Sequence, residues 1–285
     1  MTIKPTFVGI GGMKCASTWV SECLRQHPEV LHSTPKETAY FMTRSGLADY
    51  QRFFESGGRS YKAIGEFTPT YLPNAAIISR RIFETLGRVQ ILVILRNPCK
   101  RYISHYKWAI GRREELPLRS FSSLNPRTFE LVNSIEPRML EFGHYRADLQ
   151  TYADCFGREN LHVMLYEDVR RDALKVVREL FEFLRVDPSF VPPSLDEKVR
   201  EGYVPKYPAL EWAKNKGYFL VKANLPGAID PLKRLGLEKL LRRINAANDE
   251  PLVVAPEVEQ ALADHYAEEI DQMREFLGRP LTEWG

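Results

Sequence analysis

Residues 7–20 read FVGIGGMKCASTWV. A short apolar run breaks into closely spaced glycines, Lys14 follows, and the hydroxyl pair Ser17 and Thr18 opens an apolar-periodic stretch. That order of residue types suits a phosphate. Glycines such as Gly12 let the backbone come close, the N–H groups of a helix start point at the anion, and the lysine supplies full charge. Nucleotide triphosphate is not the default ligand, because the triphosphate loop GxxxxGK[ST] sets lysine and hydroxyl side by side. Here Cys15 and Ala16 separate them. A purely structural strand–helix turn is the alternative reading of the same residues.

A second turn of this kind follows. Residues 89–95, VQILVIL, form a nearly unbroken apolar run, as expected of a strand buried on both faces of a parallel sheet. The run ends at Arg96-Asn97-Pro98, with Asn97 placed as an N-cap and Pro98 at the first helical position. Ser104 lies nearly two turns on, roughly beneath Asn97, where its hydroxyl could help hold an anion. A salt-bridged Arg96 with a packed Ser104 is the plainer alternative. Two anion sites on separate strand–helix turns imply a ligand with two separated phosphates. Open α/β sheets bind such ligands at the carboxyl ends of their strands.

On these residues the chain resembles the sulfotransferases that use 3′-phosphoadenosine 5′-phosphosulfate (PAPS), in the branch that includes heparan-sulfate and bacterial enzymes. The 5′-phosphosulfate loop resembles Lys14-Cys15-Ala16-Ser17-Thr18, and the 3′-phosphate motif resembles Arg96-Asn97-Pro98 followed by Arg101 and Ser104. Residues 35–41 (PKETAYF), 65–71 (GEFTPTY), 165–168 (LYED) and the ending from Leu277 through Trp284 match more loosely. Lys206, in KVREGYVPKYP, falls where the family places a segment closing over the nucleotide; a solvent-exposed lysine is the plainer reading. Two departures stand out. Ala16 replaces a customary glycine, and Phe67 stands where glycosaminoglycan-type members often carry a second lysine.

The resemblance implies an α/β, P-loop-like three-layer fold with a central parallel sheet flanked by helices. It implies PAPS as co-substrate with no metal required, because Lys14 and Arg96 supply the cations. Ser17 and Thr18 would hold the 5′-phosphate, with Gly12, Cys15 and Ala16 shaping the loop, and Arg96 with Ser104 would hold the 3′-phosphate. Lys14 would stabilise charge on the leaving phosphate. Glu37 is the general base the resemblance implies, effective there if burial by Tyr40 and Phe41 raises its pKa; a salt bridge to Lys36 is its structural alternative. Glu66 is the next candidate, and His32, His105 and His144 are weaker ones. A thiol beside Lys14 could be acidic, but a plain loop residue is the favoured reading of Cys15.

The elements that must position these groups alternate along the chain. Strands are expected over 6–11, 30–32, 63–66, 90–95 and 161–166, and helices over 17–26, 74–86, 98–110, 137–155, 173–184 and 257–277. Val258, Leu262, Tyr266, Ile270, Met273 and Leu277 recur at helical spacing and read as core. The alternation favours a parallel sheet covered on both faces, within a single domain spanning 1–285. Residues 112–134 read as a loop or lid and 187–245 as a second lid or acceptor-binding region. Within the latter, 209–244 mixes aromatic and basic residues that could contact an anionic acceptor or a membrane surface, or form an ordinary amphipathic helix pair.

Composition sets limits. The 285 residues are 44% hydrophobic and 27% charged, as in a globular protein with a sizeable core, and a net charge of +3 makes no demand for nucleic acid. No run approaches the ~20 apolar residues of a membrane span; set against the membrane-anchored Golgi members of the family it resembles, the chain is expected to be cytoplasmic and bacterial. Its four cysteines show neither metal spacing nor a disulfide framework. The expected acceptor is a hydroxyl on a glycan, a lipid-linked glycan or a small molecule, with an alcohol favoured slightly over a phenol. A P-loop kinase would need Mg²⁺ and usually an aspartate where Arg96 ends its strand. A non-catalytic nucleotide-binding protein is the remaining alternative.

Overall fold

A computed structural model describes residues 3–110, 123–196 and 252–285, with a few positions between 207 and 217. In chain order, β1 (Phe7–Gly11) leads to α1 (Ser17–Gln26), β2 (Val30–His32) and the single-turn helices α2 (Tyr40–Thr43) and α3 (Leu47–Tyr50). Then come β3 (Ala63–Phe67), α4 (Ala75–Leu86), β4 (Gln90–Leu95), α5 (Pro98–Ile110), β5 (Ser123–Leu124), α6 (Pro126–Ile135) and α7 (Arg138–Glu141). α8 (Arg146–Phe156), β6 (Leu161–Leu165), α9 (Tyr166–Arg171), α10 (Ala173–Phe183), β7 (Val253–Val254) and α11 (Pro256–Leu277) complete the described elements.

The chain sorts into two compact units. One comprises 1–101, 140–200 and 266–285, the other 102–139 and 201–265. In the first, five parallel strands run in the order β2-β3-β1-β4-β6. Every residue from Ile91 to Leu95 is fully buried, which is why this strand reads as an unbroken apolar run. One core cluster joins Trp19, Val20 and Leu24 of α1 and Val177, Leu180 and Phe181 of α10 to Phe7, Leu92, Ile94 and Met164 of the sheet. The alternate positions Val8, Ile10, Ile91 and Val93 are buried as well, with α8 packed on β4, β6 and α4. The expected layers are therefore present. In the second unit, β5 pairs in parallel with β7 and α6 is a regular helix.

Strand order reverses between β1 and β4: the chain lays β2 and β3 on one side of β1, then β4 and β6 on the other. Such a reversal opens a crevice at the carboxyl ends of the two strands. Both anion-binding candidates leave from those two ends. The Gly12 N–H donates to the Ile94 carbonyl at 2.5 Å, tying the glycine loop to the last residues of β4.

Two expectations need correction. The segment 112–134, expected as a loop or lid, is helical from Pro126 onward as α6, started by a capping box in which Asn125 accepts from the Thr128 N–H at 3.1 Å, with Pro126 at the first turn. The helix expected over 137–155 is two helices. A Cβ at Gly143 would come within 2.6 Å of the Tyr266 hydroxyl, and Glu269 accepts the N–H groups of Tyr145 and Arg146 at 2.7 and 2.8 Å, so a fresh helix starts there. The core stripe of α11 is buried from Val258 to Met273, whereas Leu277 is only partly so. Residues 112–122, Lys206 and nearly all of 209–244 lie outside the described residues.

Candidate active site

The glycine loop is shaped by its own backbone. Lys14 and Ala16 take φ of 65° and 76°, the left-handed region that glycine enters without penalty and alanine does not. Ala16 is also the N-cap of α1, with no side-chain cap hydrogen bond, and the helix's first turn carries no acidic residue. Nothing in α1's own sequence therefore neutralises its positive end. Ser17 is buried, Thr18 is exposed and Lys14 is half-buried at this end. Cys15 is sealed in the core, and burial pushes its thiol up to about 12 despite Arg101 and Arg96 nearby. The acidic reading of Cys15 is thereby corrected.

The turn after β4 is held differently. Asn97 accepts from the Lys100 N–H at 3.0 Å, as an N-cap does. Its own N–H donates to Glu167 Oε1 at 3.0 Å, and its Nδ2 donates to the Trp284 carbonyl at 2.9 Å. The Trp284 indole N–H in turn donates to Glu167 Oε2 at 3.1 Å. Tyr145 donates its hydroxyl to the Arg96 carbonyl at 3.0 Å, and the Arg96 guanidinium lies 4.4 Å from the centre of the Tyr166 ring. Arg96 Nε is buried and has no hydrogen-bond partner among the described residues. Arg101 is completely buried and hydrogen-bonded to the Tyr266 hydroxyl, which makes it a brace. Ser104 lies seven residues beyond Asn97 along α5 and is half-buried.

The two candidate bases occupy opposite environments. Glu66 is fully buried, and its carboxylate accepts from the Thr38 hydroxyl at 2.6 Å, the Thr38 N–H at 3.2 Å, the Tyr50 and Tyr71 hydroxyls at 3.0 Å each, and the Thr68 hydroxyl. Burial raises its pKa against the lowering effect of these hydrogen bonds. A carboxylate so enclosed anchors the 38–41 segment and leaves no open approach for an acceptor. The Glu37 side chain is 50% exposed and paired with Lys36 at 2.8 Å. Tyr40 and Phe41, the rings expected to bury Glu37, are themselves buried in the core, while Glu37 faces solvent.

His32 is buried against the Ser21 hydroxyl at 2.7 Å and the Ser33 carbonyl at 3.2 Å, and burial pushes its pKa down to about 4. His144 pairs with Glu269 at 3.3 Å, and His105 is buried.

Several contributors were not visible in the sequence. Lys36 Nζ lies 3.4 Å from Thr18 Oγ1 and 3.5 Å from Ser17 Oγ, across a gap of eighteen or nineteen residues that no local spacing reveals. Glu167 and Trp284 matched only as loose family stretches, yet they fix the Arg96 turn. Phe67 is fully buried, and its ring fills the space that a side chain at Gly9 would need, 2.2 Å from an added Cβ.

The family model of the sulfotransferase domain matches residues 6–215, spanning both the β1–α1 and β4–α5 turns. The chain belongs to the sulfotransferase family. The membrane-associated sulfotransferase kil1 of Dictyostelium discoideum is 36% identical over 126 residues, 41% of this chain and 26% of that protein. Human bifunctional heparan sulfate N-deacetylase/N-sulfotransferase 2 is 24% identical over 197 residues, 65% of this chain and 22% of that protein. The chain thus spans about a quarter of the length of these curated relatives. The crystal structure of a sulfotransferase from Alicyclobacillus acidocaldarius superposes with a TM-score of 0.67 at 22% identity, covering 99% of each chain. A mouse sulfotransferase complexed with PAP gives 0.50 at 12% identity, over 97% of this chain and 90% of that one. The parallel sheet flanked by helices is the sulfotransferase fold. No helix among the described residues is long and apolar enough to cross a membrane.

Proposed function

We propose that this sulfotransferase moves a sulfuryl group from PAPS to an acceptor hydroxyl, with the sheet crevice between β1 and β4 as the site. Arg96 carries the reading. Its turn is tied down by Glu167, Trp284 and Tyr145, yet its Nε remains buried with no partner among the described residues. A buried donor left so costs about 1–3 kcal/mol, a cost that a phosphate oxygen would remove. A carboxylate there would suit Mg²⁺; a guanidinium suits a phosphate. This favours sulfuryl over phosphoryl transfer.

In the proposed assignment, Arg96 and Ser104 hold the 3′-phosphate, joined by Lys206 from the segment outside the described residues. Lys14, Ser17, Thr18 and the start of α1 hold the 5′-phosphosulfate, with Gly12, Cys15 and Ala16 forming the loop. Fixing both phosphates aligns the sulfur for in-line attack. The acceptor oxygen bonds to sulfur as the sulfur–bridging-oxygen bond breaks, the electron pair stays on the departing phosphate, and the proton passes to Glu37. Lys14 and the helix end meet the charge that develops there. Adenosine 3′,5′-bisphosphate (PAP) departs. The acceptor is an alcohol on a glycan, a lipid-linked glycan or a small molecule.

The test is turnover: PAP formation from PAPS with a panel of sugars, aliphatic alcohols and phenols, with and without EDTA. Acceptor-dependent PAP formation that survives EDTA supports the proposal. PAPS left intact by every acceptor, alongside transfer from Mg-ATP, would overturn it.

A further inference from the structure

Among the side chains near the start of α1, Lys36 is held from both directions. Ser33 Oγ lies 2.9 Å from the Pro35 carbonyl and 3.2 Å from the Lys36 carbonyl. On the other side, Thr38 is fastened to the buried Glu66 through its N–H and its hydroxyl. Between these anchors the lysine reaches over the two α1 hydroxyls, while its Nζ is shared with Glu37 Oε1 at 2.8 Å. Its side chain is 28% exposed, against 50% for Glu37. A long cationic side chain at both hydroxyls can touch an anion bound on them. Phe67, where the resemblance implies a second lysine, is buried over Gly9 and supplies no charge.

We propose that Lys36 is a second cation of the sulfuryl-transfer site and exchanges Glu37 for the 5′-phosphosulfate when that group binds. The proposal rests on the sulfotransferase reading and assigns Lys36 two consequences within it. With Lys14, Lys36 places a second positive charge on the group being transferred, where the breaking sulfur–oxygen bond leaves an electron pair on the phosphate. Its departure from Glu37 also frees that carboxylate to take the acceptor's proton only when co-substrate is present. The base is thereby coupled to occupancy of the α1 end.

Three probes separate the two readings: PAP, adenosine 5′-phosphosulfate and adenosine 3′-monophosphate, each titrated calorimetrically. Lys36→Met should weaken PAP and adenosine 5′-phosphosulfate about tenfold and leave adenosine 3′-monophosphate unchanged; Lys36→Arg should restore much of the loss. Glu37→Gln should tighten PAP in the unsubstituted chain and have no effect in Lys36→Met, the coupling a double-mutant cycle reads. If the unsubstituted chain binds PAP and Arg96→Ala weakens it while Lys36→Met does not, the Lys36 role fails alone. Tightening by Glu37→Gln that persists in Lys36→Met would overturn the exchange. No binding of PAP by the unsubstituted chain would overturn both readings together.

Discussion

The β1–α1 turn is shaped by backbone, with Lys14 and Ala16 in the left-handed region and no side-chain cap on α1. The β4–α5 turn is shaped by side chains distant in sequence: Tyr145 is 49 residues from Arg96, Glu167 is 70 from Asn97 and Trp284 is 187 from it. The first turn brings the start of α1 and the Lys14 charge to one place, a combination that suits an anion. The second holds one guanidinium in a fixed place, because nearly everything around it is already bonded. The two turns should therefore fail in different ways: the first through chemistry at the site, the second through support delivered from elsewhere.

The largest expected effect falls on the first turn. Lys14→Ala should lower kcat by about 10²–10³, the scale seen when a preorganised charge-stabilising donor is lost, with little change in Tm. Steady-state PAP formation beside a thermal melt checks this. An equal loss of kcat and Tm would mean that Lys14 holds the loop rather than the leaving group.

The second turn should answer to Glu167→Gln. The amide can accept one of its two bonds, but its NH₂ then meets either the Asn97 N–H or the Trp284 indole N–H, donor against donor. Stability should fall by about 1–3 kcal/mol, and adenosine 3′-monophosphate should bind more weakly while adenosine 5′-phosphosulfate is spared. Denaturant titration and calorimetry measure the two parts. Equal weakening of both ligands would show that the turns share a brace.

A smaller effect is set by pH. Burial and the neighbouring Glu269 push Asp148, in the first turn of α8, up to about 7 from an ordinary 3.8. The folded state binds this proton more tightly, so the stabilisation is complete below about pH 3.8 and is lost as pH rises through about 7. α8 starts at the residue after Tyr145, which donates to the Arg96 carbonyl, so the loss lands on the second turn. Cys15, up at about 12, gives the first turn no titration in this window. Asp148→Asn should flatten the fall in Tm between about pH 4 and 7, the span between the two values; an unchanged slope would remove Asp148 from the account.

The smallest effect returns to the first turn. Ala16→Gly should raise stability by about 0.5–1 kcal/mol by relieving the φ of 76°, and should leave PAP affinity within about twofold. A loss of affinity would show that the methyl group preorganises the loop.

What the sequence made legible was local. Both strand–helix turns announce themselves within a dozen residues, because glycines, Lys14, the Ser17 and Thr18 hydroxyls, Asn97 and Pro98 act on their own neighbours. The apolar runs of β1 and β4 gave the sheet for the same reason. The enclosure of Glu66 depends on five donors from Thr38, Tyr50, Thr68 and Tyr71, and only folding turns a strand-end carboxylate into a buried anchor. Lys36 beside Glu37 is readable as a local ion pair, but its reach to α1 depends on the β2–β3 connection lying over the helix start. α6 was hidden by weak periodicity, although the Asn125 to Thr128 capping box was readable in the sequence. The break before α8 depends on Tyr266 and Glu269 and has no local signal beyond Gly143.

The central claim is that two phosphates of one nucleotide are held by these two turns. Calorimetric titration of the chain with PAP in EDTA, with ATP and 5′-AMP as competitors, tests it most directly. Tight binding that requires the 3′-phosphate and weakens about 30- to 100-fold in Arg96→Ala, as loss of a charge-assisted contact implies, is the predicted result. A preference for ATP restored by Mg²⁺, or PAP affinity indifferent to Arg96→Ala, would contradict it.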